Sequence, residues 1–231
     1  MIDGAPAVDI RDLRFAYRAG REVLRIDALT IPRASRVFLH GPSGSGKTTL
    51  LGVIAGVLAP TAGSIHVLGQ NPAELPSSRR DAFRGVYLGY LFQLFNLIPW
   101  LSVTENIALP CRLHAARAAR LGDTSIDDAA RQLATDLGLG DMLDTPVTEL
   151  SVGQQQRVAA ARALIGSPEL VIADEPTSAL DADRRDQFLE LLFAQCTRAN
   201  ATLLFVSHDL ALGSRFDQVL SLPDLNLAAG S

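Results

Sequence analysis

The chain has 231 residues, 48% of them hydrophobic and 20% charged, with a formal net charge of −4. That length can bury a sizeable core without disulfides, and the acidic balance speaks against nucleic acid as a main partner. Cys111 and Cys196 stand in no metal-ligand spacing, Met1 to Asp9 lack the basic-then-apolar order of a signal peptide, and no apolar run is long enough to span a bilayer. A cytosolic globular protein with reduced thiols is expected, its membrane role, if any, coming through a partner.

Along the chain, Val8 to Phe15 alternates apolar and polar residues, as a half-buried strand does. Val37-Phe38-Leu39 is a short apolar run that ends at the glycine-rich stretch Gly41 to Gly46, and Thr48 to Gly56 follows with Leu50, Leu51, Ile54 and Ala55 on one helical face. Ser64 to Leu68 reads as another strand between Gly63 and Gly69. From about Gln93 to Gly153 the pattern becomes mostly helical, with Asp127 to Leu137 amphipathic. Gln154 to Ile165 reads as a helix, Leu170 to Ala173 as a buried strand, Arg184 to Arg198 as a helix and Thr202 to Val206 as a second buried strand. Apolar strands alternating with helices predict an α/β fold with a parallel sheet covered on both faces. The pairs Arg79-Arg80 and Arg184-Arg185 read as solvated surface, and the tail, Pro223 to Ser231, is expected to fray.

Gly41-Pro42-Ser43-Gly44-Ser45-Gly46-Lys47-Thr48 matches G-x-x-x-x-G-K-[ST] in full, between a strand and a helix. Glycines let the backbone curl so that its N–H groups converge on phosphate oxygens, and the helix behind directs its dipole at the same anion. Lys47 would reach the β- and γ-phosphates, Thr48 would offer its hydroxyl to Mg²⁺, and Thr49 would touch the next phosphate inward. Lys47 is also the only lysine in the chain, every other basic side chain being Arg. A compact point charge at that position is something a planar guanidinium cannot replace.

Leu170 to Ala173 runs into Asp174-Glu175. Beside a phosphate loop, Asp174 would hold Mg²⁺ and Glu175 would polarise the attacking water as general base. Ser207-His208-Asp209 follows the other buried strand, so His208 lies at a strand end where it can meet the γ-phosphate or the water. Its alternative is a purely structural histidine.

The order of motifs resembles the ABC ATPases over nearly the whole chain. Leu150-Ser151-Val152-Gly153-Gln154 is similar to the L-S-G-G-Q signature of that family, and Asp174 to Asp181 looks like its Walker B motif with the D-loop. Gln93 matches the Q-loop, His208 the switch histidine, and Tyr17 the aromatic that stacks on adenine. The resemblance implies a P-loop NTPase (RecA-like) parallel core with a small antiparallel β subdomain and an inserted helical subdomain. It implies one domain over residues 1–231, with the core at about 1–92 and 158–231 and the helical part at about 93–157. ATP and Mg²⁺ are the implied ligands, with Gln93 also near the metal. A second copy of the chain is implied head to tail, with Ser151, Gly153, Gln154 and Asp181 contributing to nucleotide contacts. Val152 departs from the signature glycine, and a valine would be strained if the position required positive φ.

Gly89 to Pro99 followed by Leu101-Ser102-Val103-Thr104-Glu105-Asn106-Ile107 is similar to ATPases of the lipoprotein-release and macrolide-export group. The implied partner is a permease with few transmembrane helices and a large external domain, with this subunit peripheral on the inner face of the membrane. Phe95, Leu97, Ile98 and Trp100 would then form a groove for a cytoplasmic helix of that permease; the other reading makes them core of the helical part. A soluble relative acting on ribosomes or DNA would carry two motif sets or a long coiled-coil insertion. A P-loop kinase would need an acceptor pocket and a lid.

Overall fold

The structure is a computed structural model that describes residues 4–18, 20–178 and 180–230. Met1 to Asp3 of the N-terminal stretch, Ala179 of the acidic motif and Ser231 of the tail lie outside them. In chain order the elements are β1 (Val8–Phe15), β2 (Leu24–Ile31), β3 (Arg36–His40), α1 (Lys47–Ile54), β4 (Ala62–Val67), α2 (Ser77–Tyr87) and β5 (Leu88–Leu91). Then come α3 (Val103–Leu113), α4 (Ala115–Ala118), α5 (Ile126–Asp136), α6 (Val152–Leu164), β6 (Leu170–Asp174), α7 (Ala182–Arg198), β7 (Thr202–Val206), β8 (Gln218–Ser221) and α8 (Leu222–Leu225). The described residues form two compact units, one of residues 4–84 with 202–230 and one of residues 85–201.

In the first unit β1 pairs antiparallel with β2 on one side and β4 on the other. Val8 and Ile10 are buried, and so are Leu13 and Phe15, which puts the alternation out of phase by one residue. A β-bulge between Arg11 and Arg14 supplies the extra residue, with Asp12 at φ 49°. Gly63 on β4 faces that bulge: a Cβ there would stand 2.2 Å from the Asp12 carbonyl oxygen, so only glycine fits. The unit also holds three parallel strands, β3 lying between β7 and β8. Val37, Phe38 and Leu39 are at most 1% exposed, and Phe38 stacks on Phe205 and packs against Phe216.

In the second unit β5 and β6 pair in parallel, and Leu170 to Ala173 are fully buried. Gly89 of β5 sits directly under α6, where a Cβ would come within 2.3 Å of the Ala163 carbonyl oxygen. Arg117 of α4 is 2% exposed and has no carboxylate partner among the described residues. Its guanidinium donates instead to four carbonyls: Ile165 at 2.8 Å, Gly85 at 3.1 Å, Leu88 at 2.7 Å and Ala163 at 2.7 Å. Burial lowers its pKa to about 10, still far enough above neutrality to keep the charge. Cys111 and Cys196 are buried free thiols, and burial pushes Cys111 up.

The starts of two helices and the tail are among the places that differ from the sequence expectation. Helix α6 starts at Val152 rather than Gln154, because Ser151 and Gln154 form a capping box that fixes the first turn ahead of Gln154. Helix α7 starts at Ala182 rather than Arg184, because Asp181 accepts from the Arg184 amide at 2.9 Å and caps it. The described part of the tail is built into the fold rather than left loose: α8 is followed by a helical turn at Leu227–Gly230, with Leu222 at 0% and Asn226 at 3% exposure. Among the described residues no helix is long and apolar enough to cross a membrane.

Candidate nucleotide-binding site

In the first unit the glycine loop leaves the C-terminal end of β3 and closes onto α1. Gly44 and Gly46 hold φ values of 80° and 100°, in the left-handed region that glycine tolerates. Gly46 is the N-cap of α1 and offers no side-chain cap, so the first-turn amides keep their capacity for an anion. Pro42, Ser43 and Gly44 are exposed, whereas Gly41 is buried and Ser45 half-buried. Lys47 is buried, and its ammonium donates to the Gly41 carbonyl at 2.7 Å and the Pro42 carbonyl at 3.0 Å. The charge thus lies within the curl of its own loop. Thr48 is exposed and Thr49 buried. The Thr49 and Tyr17 hydroxyls share a hydrogen bond of 3.2 Å, while the Tyr17 ring meets Phe15 edge-on and stays 63% exposed. Tyr17 therefore presents an open ring face and is tied to the phosphate loop.

Parallel pairing brings a second feature to the same edge. Leu39 pairs with Val206, so Gly41 and His208 both emerge from the C-terminal ends of neighbouring strands. His208 is exposed there, and Asp209 caps the helical turn that follows by accepting from the Ala211 amide at 3.1 Å. A cleft of about 870 Å³ adjoins the loop, lined by Gly44, Ser45, Val23, Glu22, Asn226 and Ala228 among others. That volume suits a nucleotide-sized ligand.

The second unit repeats the edge logic. Leu91 pairs with Ala173, so Gln93 and Asp174-Glu175 leave the same ends of β5 and β6. Gln93 is exposed, and Asp174 and Glu175 are half-buried. Glu175 has φ 46°, left-handed backbone that a non-glycine residue rarely adopts. Burial, with Asp174 beside it, holds the Tyr90 phenol well above its usual value, so a neutral hydroxyl stands near that carboxylate. Gln156, fully buried on α6, donates to the Pro176 carbonyl at 2.7 Å and links the signature helix to the acidic motif.

Ser151 is exposed at the start of α6; its hydroxyl accepts from the Gln154 amide at 3.4 Å, and the Gln154 carboxamide accepts from the Ser151 amide at 2.8 Å. Gly153 has open space where a Cβ would stand. Val152 is 50% exposed and lies inside the right-handed helix, so the feared positive φ is not required and the valine is unstrained. Asp181 is exposed at the N-cap of α7 and also pairs with Arg184 at 3.4 Å.

The expected apolar groove divides. Trp100 is 80% exposed, while Phe95, Leu97 and Ile98 are half-buried. The loop that carries them is pinned: Asn106, fully buried, donates to the Ile98, Leu101 and Ser102 carbonyls and accepts from the Ile98 amide, and Arg162 donates to the Phe95 and Asn96 carbonyls. Leu94 at 83% and Leu113 at 67% exposure join Trp100 among the exposed apolar residues of this unit, and Leu113 lines a cleft of about 260 Å³ with Tyr90, Phe92, Asn96 and Leu109 among others. The sequence reading missed Leu94, Leu113, Tyr90 and Asn226; the first two were visible as apolar residues flanking the expected groove, the last two only through three-dimensional neighbours.

Comparison with known proteins shows the family and the fold. The family model described as ABC transporter matches residues 24–178. The lipoprotein-releasing system ATP-binding protein LolD 2 of Rhodospirillum rubrum is 38% identical over 222 residues, covering 95% of this chain and 94% of the relative. The macrolide export ATP-binding/permease protein MacB of Syntrophobacter fumaroxidans is 36% identical over 220 residues, covering 94% of this chain and 30% of that longer protein. An ATP-binding cassette solved as a dimer in a post-hydrolysis state with ADP and Pi superposes with a TM-score of 0.81 at 30% identity, covering 93% of both chains.

Proposed function

The chain belongs to the ABC transporter family and is its ATP-binding, ATP-hydrolysing subunit, and from that premise we propose that two copies close head to tail on Mg-ATP to drive a separate membrane permease. The observation that carries the reading is the phosphate loop, whose only lysine lies inside a glycine curl that ends at the uncapped helix α1. Loop amides and Lys47 neutralise the phosphates, and the exposed face of Tyr17 stacks on the base. By family resemblance, the oxygen donors of Thr48, Gln93 and Asp174 would hold Mg²⁺, a hard cation that keeps waters and phosphate oxygens as its other ligands. Bound there, Mg²⁺ would neutralise charge on the β- and γ-phosphates.

Glu175 accepts a proton from the attacking water, and His208 holds the γ-phosphate side of it. Ser151 and Gly153 from the second copy meet the γ-phosphate through a hydroxyl and an amide at the start of α6, where Gly153 leaves room for a close approach. Gln154 keeps Ser151 in place through the capping box, and Asp181 holds the turn that enters α7. ATP then joins the copies and hydrolysis frees them, a shift set by its differential affinity for the closed pair.

The functional core comprises about residues 1–92 and 158–231, and the helical part about 93–157. The exposed Trp100 and Leu94, and Leu113 with the cleft it lines, receive a cytoplasmic helix of the permease, the subunit lying on the inner face of the membrane. The names of the relatives support a permease of the lipoprotein-release and macrolide-export type; its few transmembrane helices and large external domain are what the resemblance implies. Glu175→Gln tests the chemistry: the variant should bind Mg-ATP, form a dimer on size exclusion and turn over at least about a hundredfold more slowly, in line with loss of a general base. Hydrolysis at the wild-type rate would remove Glu175 from its role.

A further inference from the structure

We propose that the segment Leu222 to Ala228 is part of the nucleotide site, with Asn226 as the residue that positions the phosphate loop; this rests on the phosphate-loop reading above. Asn226 is 3% exposed and its carboxamide is fully used. Nδ2 donates to the Ser45 carbonyl at 3.2 Å and the Val23 carbonyl at 2.9 Å, and Oδ1 accepts from the Arg25 amide at 2.8 Å and the Ala228 amide at 3.3 Å. One side chain therefore binds the loop, the start of β2 and its own segment together.

The bond to Ser45 has a directional consequence. The Ser45–Gly46 peptide is trans, since no cis bond occurs among the described residues. In a planar trans peptide the carbonyl and the next N–H point opposite ways. Holding the Ser45 oxygen toward Asn226 turns the Gly46 N–H away from it, fixing one of the amides on which an anion-binding curl depends. Gly46 is tightly enclosed there: a Cβ would meet Leu24 at 2.9 Å and the Asn226 nitrogen at 3.6 Å. The same segment supports the other end of the loop, where a Cβ on Gly41 would meet Pro223 at 3.1 Å and Leu222 at 3.5 Å. Asn226 and Ala228 also line the cleft beside Gly44 and Ser45. The segment thus holds both ends of the loop and forms part of the wall of the cleft.

Coupling of this kind is reciprocal: a segment that pre-orders the loop for nucleotide is itself tightened when nucleotide binds. The test uses the full chain and Mg-ADP. Titration calorimetry well below the melting temperature should show Asn226→Ala binding about tenfold more weakly, equivalent to about 1.4 kcal/mol. Asn226→Asp keeps the acceptor for Arg25 but loses both donors, and should weaken binding at least as much. Hydrogen exchange of amides 222–228 in the unaltered chain should slow on saturation with Mg-ADP. A segment with a purely structural role gives Asn226 variants of lower melting temperature, wild-type affinity and nucleotide-independent exchange, and that result overturns the proposal. Lys47→Ala separates the two levels. If it binds Mg-ADP normally, the phosphate-loop reading itself fails. If it loses binding while Asn226→Ala and the exchange pattern do not respond, only the role of the segment falls. Should the Asn226 variants not fold, the exchange measurement on the unaltered chain decides.

Discussion

Arg117→Met removes a buried cation whose hydrogen-bond partners among the described residues are carbonyls. Four bonds are lost, to Ile165, Gly85, Leu88 and Ala163, and these tie α4 to the C-terminal end of α6, the end of α2 and the end of the first residue of β5. At a net of about 1 kcal/mol each, the bonds contribute about 4 kcal/mol. Methionine fills a similar volume and recovers about 1 kcal/mol through apolar contact. The remaining loss of about 3 kcal/mol should lower the melting temperature by about 6–12 °C for a chain of this size. Because the guanidinium keeps a pKa of about 10, it is cationic at neutral pH and the comparison involves a charged donor. Thermal unfolding followed by circular dichroism, with urea unfolding as a second measure, provides the assay. Arg117→Lys should fall between the two, since a single ammonium cannot reach all four carbonyls in their fork geometry. A methionine variant that melts within about 2 °C of the parent would refute the reasoning, given the usual sensitivity of melting to stability.

Tyr17→Ala should weaken ATP binding by about 5- to 150-fold, the loss of about 1–3 kcal/mol of base stacking, while Tyr17→Trp should keep most of it; an equal loss for inorganic triphosphate would show that the ring does not read the base. Val152→Gly should change stability by less than about 0.5 kcal/mol and leave Mg-ADP affinity intact, since the side chain is half exposed on the first turn of α6; a large drop in urea stability would contradict its placement. Asp217 accepts from the Arg36 side chain and backbone, each at 2.7 Å, which holds its carboxyl below the ordinary value of 3.8. Its contribution is present above pH 3.8 and is lost as pH falls through the lowered folded value, so Asp217→Asn should flatten the acid limb of urea stability; an unchanged slope would count against it.

Local chemistry made much of this molecule legible. The strand, glycine loop and helix around Lys47, and the buried runs at Leu170 and Thr202, declare themselves through short-range pattern, and the structure forms an element at each. Boundaries set by side-chain caps were read two residues late at α6 and α7, because periodicity begins only after the cap has acted. Strand β2 was hidden because its buried residues, Leu24 and Ile26 then Leu29 and Ile31, change phase midway. The left-handed backbone at Glu175 and the bonds from Asn226 to residues about 200 positions away have no trace in a linear pattern. The apparent mismatch at Val152 dissolved once the position proved to be ordinary helix, which the signature string alone did not reveal.

The close seat of Gly89 beneath Ala163 bears on motion within residues 85–201. Where backbone rests on backbone, no compressible side-chain layer lies between to absorb sliding. Strand β5, which leads to Gln93, and helix α6, which begins beside Ser151, are therefore geared to each other. A displacement felt at one is delivered to the other with little slack, and a methyl group at position 89 would act as a spacer that throws the gear out of mesh.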